Sequence, residues 1–177
     1  MSIAVAPSGL VSRGRSGLTD ADRHLPPPPA VQVRESLSGR RIAIASEPGV
    51  YVHVAYRGHG PTPAWLEPTL RRFERLAALP AGWDSYSAQA IPAKAIMQSI
   101  SVLGLVMDID SKSPEVIPSK HGGIRLEWHQ GDRDLEITIV GDSVIVFFAD
   151  DLSNDTWEGD LMQLLGPTRQ ALATFTL

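Results

Sequence analysis

The sequence predicts an α+β fold: an antiparallel sheet with two to three helices packed on one of its faces. The strand-like segments, near residues 40–56 and 122–149, follow one another directly, without the alternation of strand and helix that builds parallel sheets. Gly-Asp pairs at 131–132 and 141–142 separate three segments of alternating apolar residues, a pattern typical of two-residue hairpins. Apolar residues at helical spacing fill the stretch between the two strand regions.

Residues 1–38 are expected to form a flexible tail, and residues 39–177 a single α+β domain. The tail is rich in Ser, Gly, Arg and Pro and has no sustained periodicity. Its run LPPPPA, residues 25–30, favours an extended polyproline spacer. The alternative is a ligand for an aromatic groove on another protein.

A hairpin and two helices are predicted to follow the tail. RIAIAS and VYVHVAY flank an EPG turn signal, and both alternate in the manner of strands. The resulting register pairs Ile44 with Val52 and Ile42 with Val54. Helices are expected at about residues 64–78 and 92–107. Their apolar stripes are Leu66, Leu70, Phe73 and Ala77 in the first, and Ile96, Ile100, Leu103 and Met107 in the second.

The clearest predicted feature is a three-stranded meander formed by GGIRLEWHQ, RDLEITIV and SVIVFFA. Turns centred on the two Gly-Asp pairs fix the register of all three strands. The pairs are Trp128 with Leu135, Leu126 with Ile137, Ile124 with Ile139, Ile139 with Val144, Ile137 with Val146, and Leu135 with Phe148. Because these side chains then share one face, we expect that face to be buried. The preceding EVIPS is expected to add a short edge strand, since Pro118 cannot donate to a central ladder.

A third helix is predicted from LSNDTWEGDLMQLLGP, residues 152–167. Its apolar residues recur at helical spacing, and Gly166-Pro167 is expected to end it. These apolar residues are Trp157, Leu161, Leu164 and Leu165. The final TRQALATFTL is either a further helical turn or a strand.

The composition excludes several functional classes. The chain has no cysteine, which excludes disulfides, thiolate zinc sites and cysteine nucleophiles. With a formal net charge of -4, the chain lacks the excess of positive charge that is typical of a nucleic-acid binder. No apolar run reaches the roughly 18 residues of a membrane helix, and the N-terminus does not have the residue order of a secretory signal. We therefore expect a cytoplasmic protein whose partner is neither a membrane nor a nucleic acid.

The second face of the meander carries polar residues. The register places Glu127 directly opposite Glu136, and opposed like charges cost roughly 0.2–1 kcal/mol. Such a carboxylate pair is able to bind a cation, which makes Glu127, His129 and Glu136 weak candidates for metal ligands. The alternative is a solvated face on which Arg125 and Arg133 screen the pair.

Apolar side chains interrupt this polar face. Ile145 and Phe147 lie on it, so part of the face is expected to need cover from a partner, the tail or the N-terminal hairpin. Phe147 is therefore a candidate for partner binding. No GxSxG, P-loop, GxGxxG or HExxH motif occurs, so no catalytic residue and no cofactor is assigned.

The stretch LPAGWDSYSA, residues 79–88, connects the two central helices. Gly82 permits a tight bend, and Asp84 is suited to accept backbone N–H groups in an Asx turn. Trp83 and Tyr86 have two interpretations: they pack the loop onto the sheet, or they anchor a partner protein. Trp83, Asp84 and Tyr86 are accordingly candidate partner-binding residues.

The segments GWDSYSA, PEVIPSKHGGIRLEW and DLEITI resemble a pattern, GWDGYGA…PxVxPTxxGGxxLEW…LEI, of small, uncharacterised bacterial proteins. The resemblance covers about residues 82–150. Some members of the group are associated with mobile elements or toxin–antitoxin-like gene pairs, which implies a partner protein but no agreed activity. This chain has Ser85 and Ser87 where the pattern has glycine.

We expect a non-catalytic protein-binding module. The resemblance implies that it is the neutralising or accessory partner of another bacterial protein. The absence of an assembled catalytic set and the acidic balance of the chain favour this function over an enzyme. One alternative is a metal-assisted hydrolase or nuclease that uses Glu127 and Glu136 with Asp84 and His129. The other is a structural homo-oligomer with Phe147 at its contact.

Overall fold

The computed structural model describes residues 2–9, 33–36, 39–47, 50–57 and 61–175, and within them the chain forms nine strands and three helices. The strands are β1 (Ser2–Gly9), β2 (Val33–Ser36), β3 (Gly39–Glu47), β4 (Val50–Arg57), β5 (Glu115–Pro118), β6 (Ile124–Gln130), β7 (Arg133–Val140), β8 (Ser143–Asp150) and β9 (Asp155–Asp160). The helices are α1 (Leu66–Ala77), α2 (Ala93–Val106) and α3 (Leu165–Leu172). This element order confirms the α+β class.

The described strands form two separate antiparallel sheets. One has the order β1-β4-β3-β2 and the other the order β5-β6-β7-β8-β9. Both predicted pairs of the hairpin and all six predicted pairs of the meander are present. Gly131 and Gly141 have φ of 61° and 62°, the positive values that tight hairpin turns require. The expected single sheet is wrong in this detail, since hairpin and meander belong to different sheets.

Two of the described strands lie in the segment expected to be a tail. β1 pairs with β4 and β2 pairs with β3, so residues 2–9 and 33–36 extend the hairpin into a four-stranded sheet. The predicted polyproline stretch, residues 25–30, lies outside the described residues.

The central helices lie between the two sheets. Helix α2 contacts β1 and β4 of the four-stranded sheet and β6 and β7 of the other, while α1 contacts β3 and β5. Val52 and Val54 of β4 are buried in the same core as the inner face of the meander. Because α2 is covered by both sheets, its buried set extends beyond the predicted stripe to Ala95, Val102 and Val106.

The segment expected to be the third helix begins as a strand. Trp157 lies in β9 opposite Phe148, with the two rings stacked at 5.1 Å between centroids. A Cβ on Gly159 would lie 2.9 Å from Leu164, so this glycine makes room for a core side chain. The helical spacing of Trp157, Leu161, Leu164 and Leu165 was misleading. These side chains come from a strand, a turn and a helix, and they pack against one core.

Helix α3 begins later than predicted. Gly166 and Pro167 were expected to end a helix, but both lie within its first turn. A proline is tolerated there because the first N–H groups of a helix have no intrahelical partner. Of the described helices, none is both long and apolar enough to cross a membrane.

Candidate functional site

The five-stranded sheet has an outer face that points away from the helices. Its residues are Glu115 and Ile117 from β5, Arg125, Glu127 and His129 from β6, Asp134, Glu136, Thr138 and Val140 from β7, Ser143, Ile145, Phe147 and Ala149 from β8, and Thr156, Glu158 and Asp160 from β9. One row crosses all five strands: Glu115, Glu127, Glu136, Phe147 and Glu158. Since neighbouring strands lie about 4.8 Å apart, this row spans about 19 Å.

The two inner glutamates of the row are directly opposed, as predicted. Arg125 lies between them, with its Nε 2.6 Å from Glu127 Oε1 and its Nη1 3.5 Å from Glu136 Oε2. Glu136 also accepts a hydrogen bond from Thr138 Oγ1 at 2.9 Å. Arg133 was expected to help in this screening, but its Nε lies 3.9 Å from a carboxylate of β8 instead. One arginine therefore neutralises only part of the pair.

His129 adds a second cationic group to the outer face. Its Nδ1 contacts Asp134 Oδ1, and its Nε2 lies 3.2 Å from Glu127 Oε2. The hydrogen bond to Asp134, followed by the one to Glu127, raises the pKa of His129 above its usual value. Both ring nitrogens face carboxylates, so this geometry favours the doubly protonated imidazolium.

The outer face keeps an excess of negative charge and an apolar centre. Six carboxylates share it with one arginine and one histidine. Glu115 and Glu158, at the two ends of the row, are exposed, and neither has an ion pair within residues 61–175. Phe147 and Ile145 are each 36% exposed, and Val140 is 41% exposed. The face thus combines acidic and apolar surface.

The geometry gives the hydrolase alternative no support. Within the described part of the chain, no group of three or more His, Asp or Glu side chains is arranged to hold a metal ion. The carboxylate of Glu127 is engaged by Arg125 and His129. Asp84, the expected fourth contributor, uses its carboxylate within its own loop.

The loop between α1 and α2 is fixed by hydrogen bonds of its own. Asp84 Oδ1 accepts from the backbone N–H of Tyr86 at 2.9 Å and of Ala88 at 3.1 Å. These two hydrogen bonds, of which the one from Tyr86 has the larger effect, lower the pKa of Asp84 below its usual value. Gly82 and Ser85 both have positive φ, of 76° and 67°. The Asx turn expected at Asp84 is therefore present.

The two aromatic residues of this loop differ in their environment. Trp83 is half-buried, and its Nε1 donates to the carbonyl oxygen of Gln89 at 3.1 Å. Tyr86 is 89% exposed, so the interpretation that it packs the loop onto the sheet is wrong for this side chain. Its role in partner binding, like that of Trp83, Asp84 and Phe147, stays a prediction.

The loop packs against the turn between β5 and β6. The N–H of Gln89 donates to the carbonyl oxygen of Lys120 at 2.9 Å. A Cβ on Gly122 would lie 3.3 Å from Gln89 Oε1, and one on Gly123 would lie 2.6 Å from the carbonyl oxygen of Ile139. Gln89, at the end of the loop, thus contacts the KHGG segment, which lies far from it in sequence.

Two glutamates of the row were missed by sequence reasoning. Glu158 was placed on a helix because β9 was not recognised as a strand. Glu115 lies on the predicted edge strand, and pairing that strand with β6 places it directly opposite Glu127. Carrying the same register argument one strand further would have found it.

We compared the chain with models of protein families, with curated proteins and with solved structures, and none of the three comparisons gives a match.

Proposed function

We propose that this chain is a non-catalytic protein-binding module, and that the outer face of its five-stranded sheet is the binding surface. The observation that carries the proposal is the exposure of Phe147 and Ile145 at the centre of a sheet face, while all described helices pack on the opposite face. Large exposed apolar side chains grouped together and bordered by polar residues are typical of interaction sites.

The charges of the same face support a binding role. Glu127 lies between Glu115 on one side and Glu136 on the other, and each directly opposed pair costs roughly 0.2–1 kcal/mol. Arg125 and His129 offset part of this cost, but the opposition of the glutamates does not itself stabilise the fold. A partner that brings cations to the row would remove the cost, as expected of a surface adapted for binding.

A structural homo-oligomer sealed through this face is disfavoured by the same charges. Two-fold pairing would place one acidic face against an identical acidic face, because isologous interfaces use the same patch on both subunits. Like-charge juxtaposition across an interface is costly. We therefore propose a different protein as the partner, for which this chain acts as an accessory or neutralising subunit.

The experiment compares Phe147→Thr with Leu152→Thr as a matched control. Leu152 is 80% exposed and lies in the turn between β8 and β9, outside the outer face. Threonine suits the strand position of Phe147, and substitutions at an exposed turn position such as Leu152 usually change stability by no more than about 0.5 kcal/mol. We therefore expect both variants to fold as the wild type does, which urea denaturation checks. Each immobilised chain is then used to capture proteins from host extract, and captured proteins are identified by mass spectrometry.

We expect Phe147→Thr to lose a protein that the wild type and Leu152→Thr both retain. Equal capture by both variants would assign binding to another surface and would refute the outer face as the site. The absence of any specifically captured protein would argue against a binding module altogether.

Tyr86→Ala tests the loop as a second contact. Because the ring is 89% exposed, we expect the free energy of unfolding to stay within about 0.5 kcal/mol of the wild-type value. Loss of the captured partner with unchanged stability would include the loop in the binding surface. Unchanged capture would restrict the surface to the sheet.

A further inference from the structure

The chemistry of the partner can be argued from the row that crosses the outer face. The row holds four glutamates, with Phe147 between Glu136 and Glu158. Its inner glutamates share one arginine, and its end residues, Glu115 and Glu158, have no ion pair among the described residues. Among the described residues, the glutamates without an ion pair therefore lie at the two ends of the row, and the ring of Phe147 lies within it.

Resting on the proposed function, we propose that the outer face binds a cationic segment of another protein, with Lys or Arg side chains over the glutamates and an apolar side chain against Phe147 and Ile145. The row spans about 19 Å, which corresponds to roughly six residues of extended chain at about 3.3 Å per residue. Charge complementarity of this kind fixes orientation and accelerates association.

Other occupants fit the face less well. A second copy would present the same acidic face, and nucleic acid would bring phosphates to six carboxylates. A lone cation finds no ligand group of three or more within the described residues. A basic protein segment satisfies both the charge and the apolar centre.

The test uses labelled peptides of about eight residues, enough to cross the row, in which every second residue faces the sheet and serine fills the positions between. The sheet-facing residues are Lys, Lys, Leu and Lys in the Lys/Leu peptide, Lys, Lys, Ser and Lys in the Lys/Ser peptide, and Glu, Glu, Leu and Glu in the Glu/Leu peptide. Binding to the full chain is followed by fluorescence anisotropy in about 50 and about 300 mM NaCl, since exposed charge pairs are screened beyond about 10 Å at 0.1 M salt. We expect the Lys/Leu peptide to bind most tightly and to weaken in high salt. Equal binding of the Glu/Leu peptide would overturn the cationic requirement, and equal binding of the Lys/Ser peptide would overturn the apolar one.

Charge-matched variants locate the binding site. Glu115→Gln with Glu158→Gln removes, from the ends of the row, two carboxylates that have no ion pair among the described residues. Asp132→Asn with Asp151→Asn removes two exposed carboxylates from turns outside the outer face. We expect the first double variant to bind the Lys/Leu peptide about fivefold more weakly, and the second to bind it as the wild type does. Equal effects of the two double variants would overturn the proposal.

Two further measurements separate the remaining occupants. A peptide with the sequence of residues 10–32, which contains three arginines, is titrated in the same way. Tighter binding of this peptide than of the Lys/Leu peptide would assign the face to the chain's own segment and overturn the proposal. If Phe147→Thr abolishes capture of a natural partner but neither salt nor Glu115→Gln with Glu158→Gln affects it, the binding module stands and the cationic partner is refuted.

Discussion

The left-handed backbone at Ser85 allows a prediction with an internal control. Within the described residues, only Ser85 and Asn154 have positive φ without being glycine. Ser87, two positions further in the same loop, does not. Both serines are exposed and both stand where the resembled pattern has glycine. Replacing each by glycine removes the same side chain from two different backbone conformations.

The expected magnitudes follow from the two conformations. A non-glycine residue in the left-handed region costs roughly 1–2 kcal/mol, and Ser85→Gly removes this cost. Glycine also has more conformational entropy in the unfolded chain, which lowers this stabilisation by about 0.5–1 kcal/mol. Ser85→Gly should therefore raise the free energy of unfolding by about 0.5–1 kcal/mol, and Ser87→Gly should lower it by about as much.

Urea denaturation of the two variants and the wild type measures this difference. We expect the two variants to differ by roughly 1–2 kcal/mol with unchanged m values, or by about 2–8 °C in Tm for a chain of this length. Equal stability of Ser85→Gly and Ser87→Gly would refute the argument, because only Ser85 has the strained φ. A changed m value would instead indicate an altered unfolded state.

Two further predictions concern the turn after β5 and the histidine of the outer face. Gly123→Ala would place a Cβ 2.6 Å from the carbonyl oxygen of Ile139, so urea denaturation should show a loss of about 3 kcal/mol. A Cβ on Gly141 would have no atom within 4 Å, so Gly141→Ala should lower the free energy of unfolding only by the roughly 1–2 kcal/mol due to the positive φ. Equal losses in the two variants would contradict the steric explanation. For His129, the hydrogen bond to Asp134 raises the folded-state pKa above the usual value of about 6.5. The protonated imidazole therefore contributes its full stability below about pH 6.5, and this contribution is lost as the pH rises through the folded-state pKa. The wild type should therefore exceed His129→Gln in stability at about pH 5.5 by more than at about pH 8.5, and a difference that grows with pH would contradict the assignment.

The meander could be predicted residue by residue because two constraints agreed. A two-residue turn leaves one register, and the apolar alternation independently requires that register to place Leu126, Ile137 and Val146 on one face. The same argument placed Glu127 opposite Glu136. Prediction was exact here because a slip of one residue would bury charges and expose the core.

Two parts of the fold were not predicted, for different physical reasons. In β9, a single inward Trp157 and a glycine do not show the alternation that identifies a strand, and the following leucines completed a helical spacing by coincidence. The four-stranded sheet covers α2 through contacts between residues that are distant in sequence. The apolar residues Ala95, Val102 and Val106, beside the expected stripe, nevertheless indicated a second buried side of this helix. The ion pairs of Arg125 depend on side-chain conformations, which the sequence pattern does not determine.

The position of α2 has a consequence for how this chain can be divided. Residues 2–57 contribute the strands that cover one side of the helix, and residues 115–160 contribute those that cover the other. A fragment that lacked either group would lose the cover that this sheet gives to the helix, and buried apolar side chains of α2 would be exposed to water. The proposed binding surface on the last five strands therefore cannot be separated from the first four, and any version that lacked either group would need new apolar cover for α2.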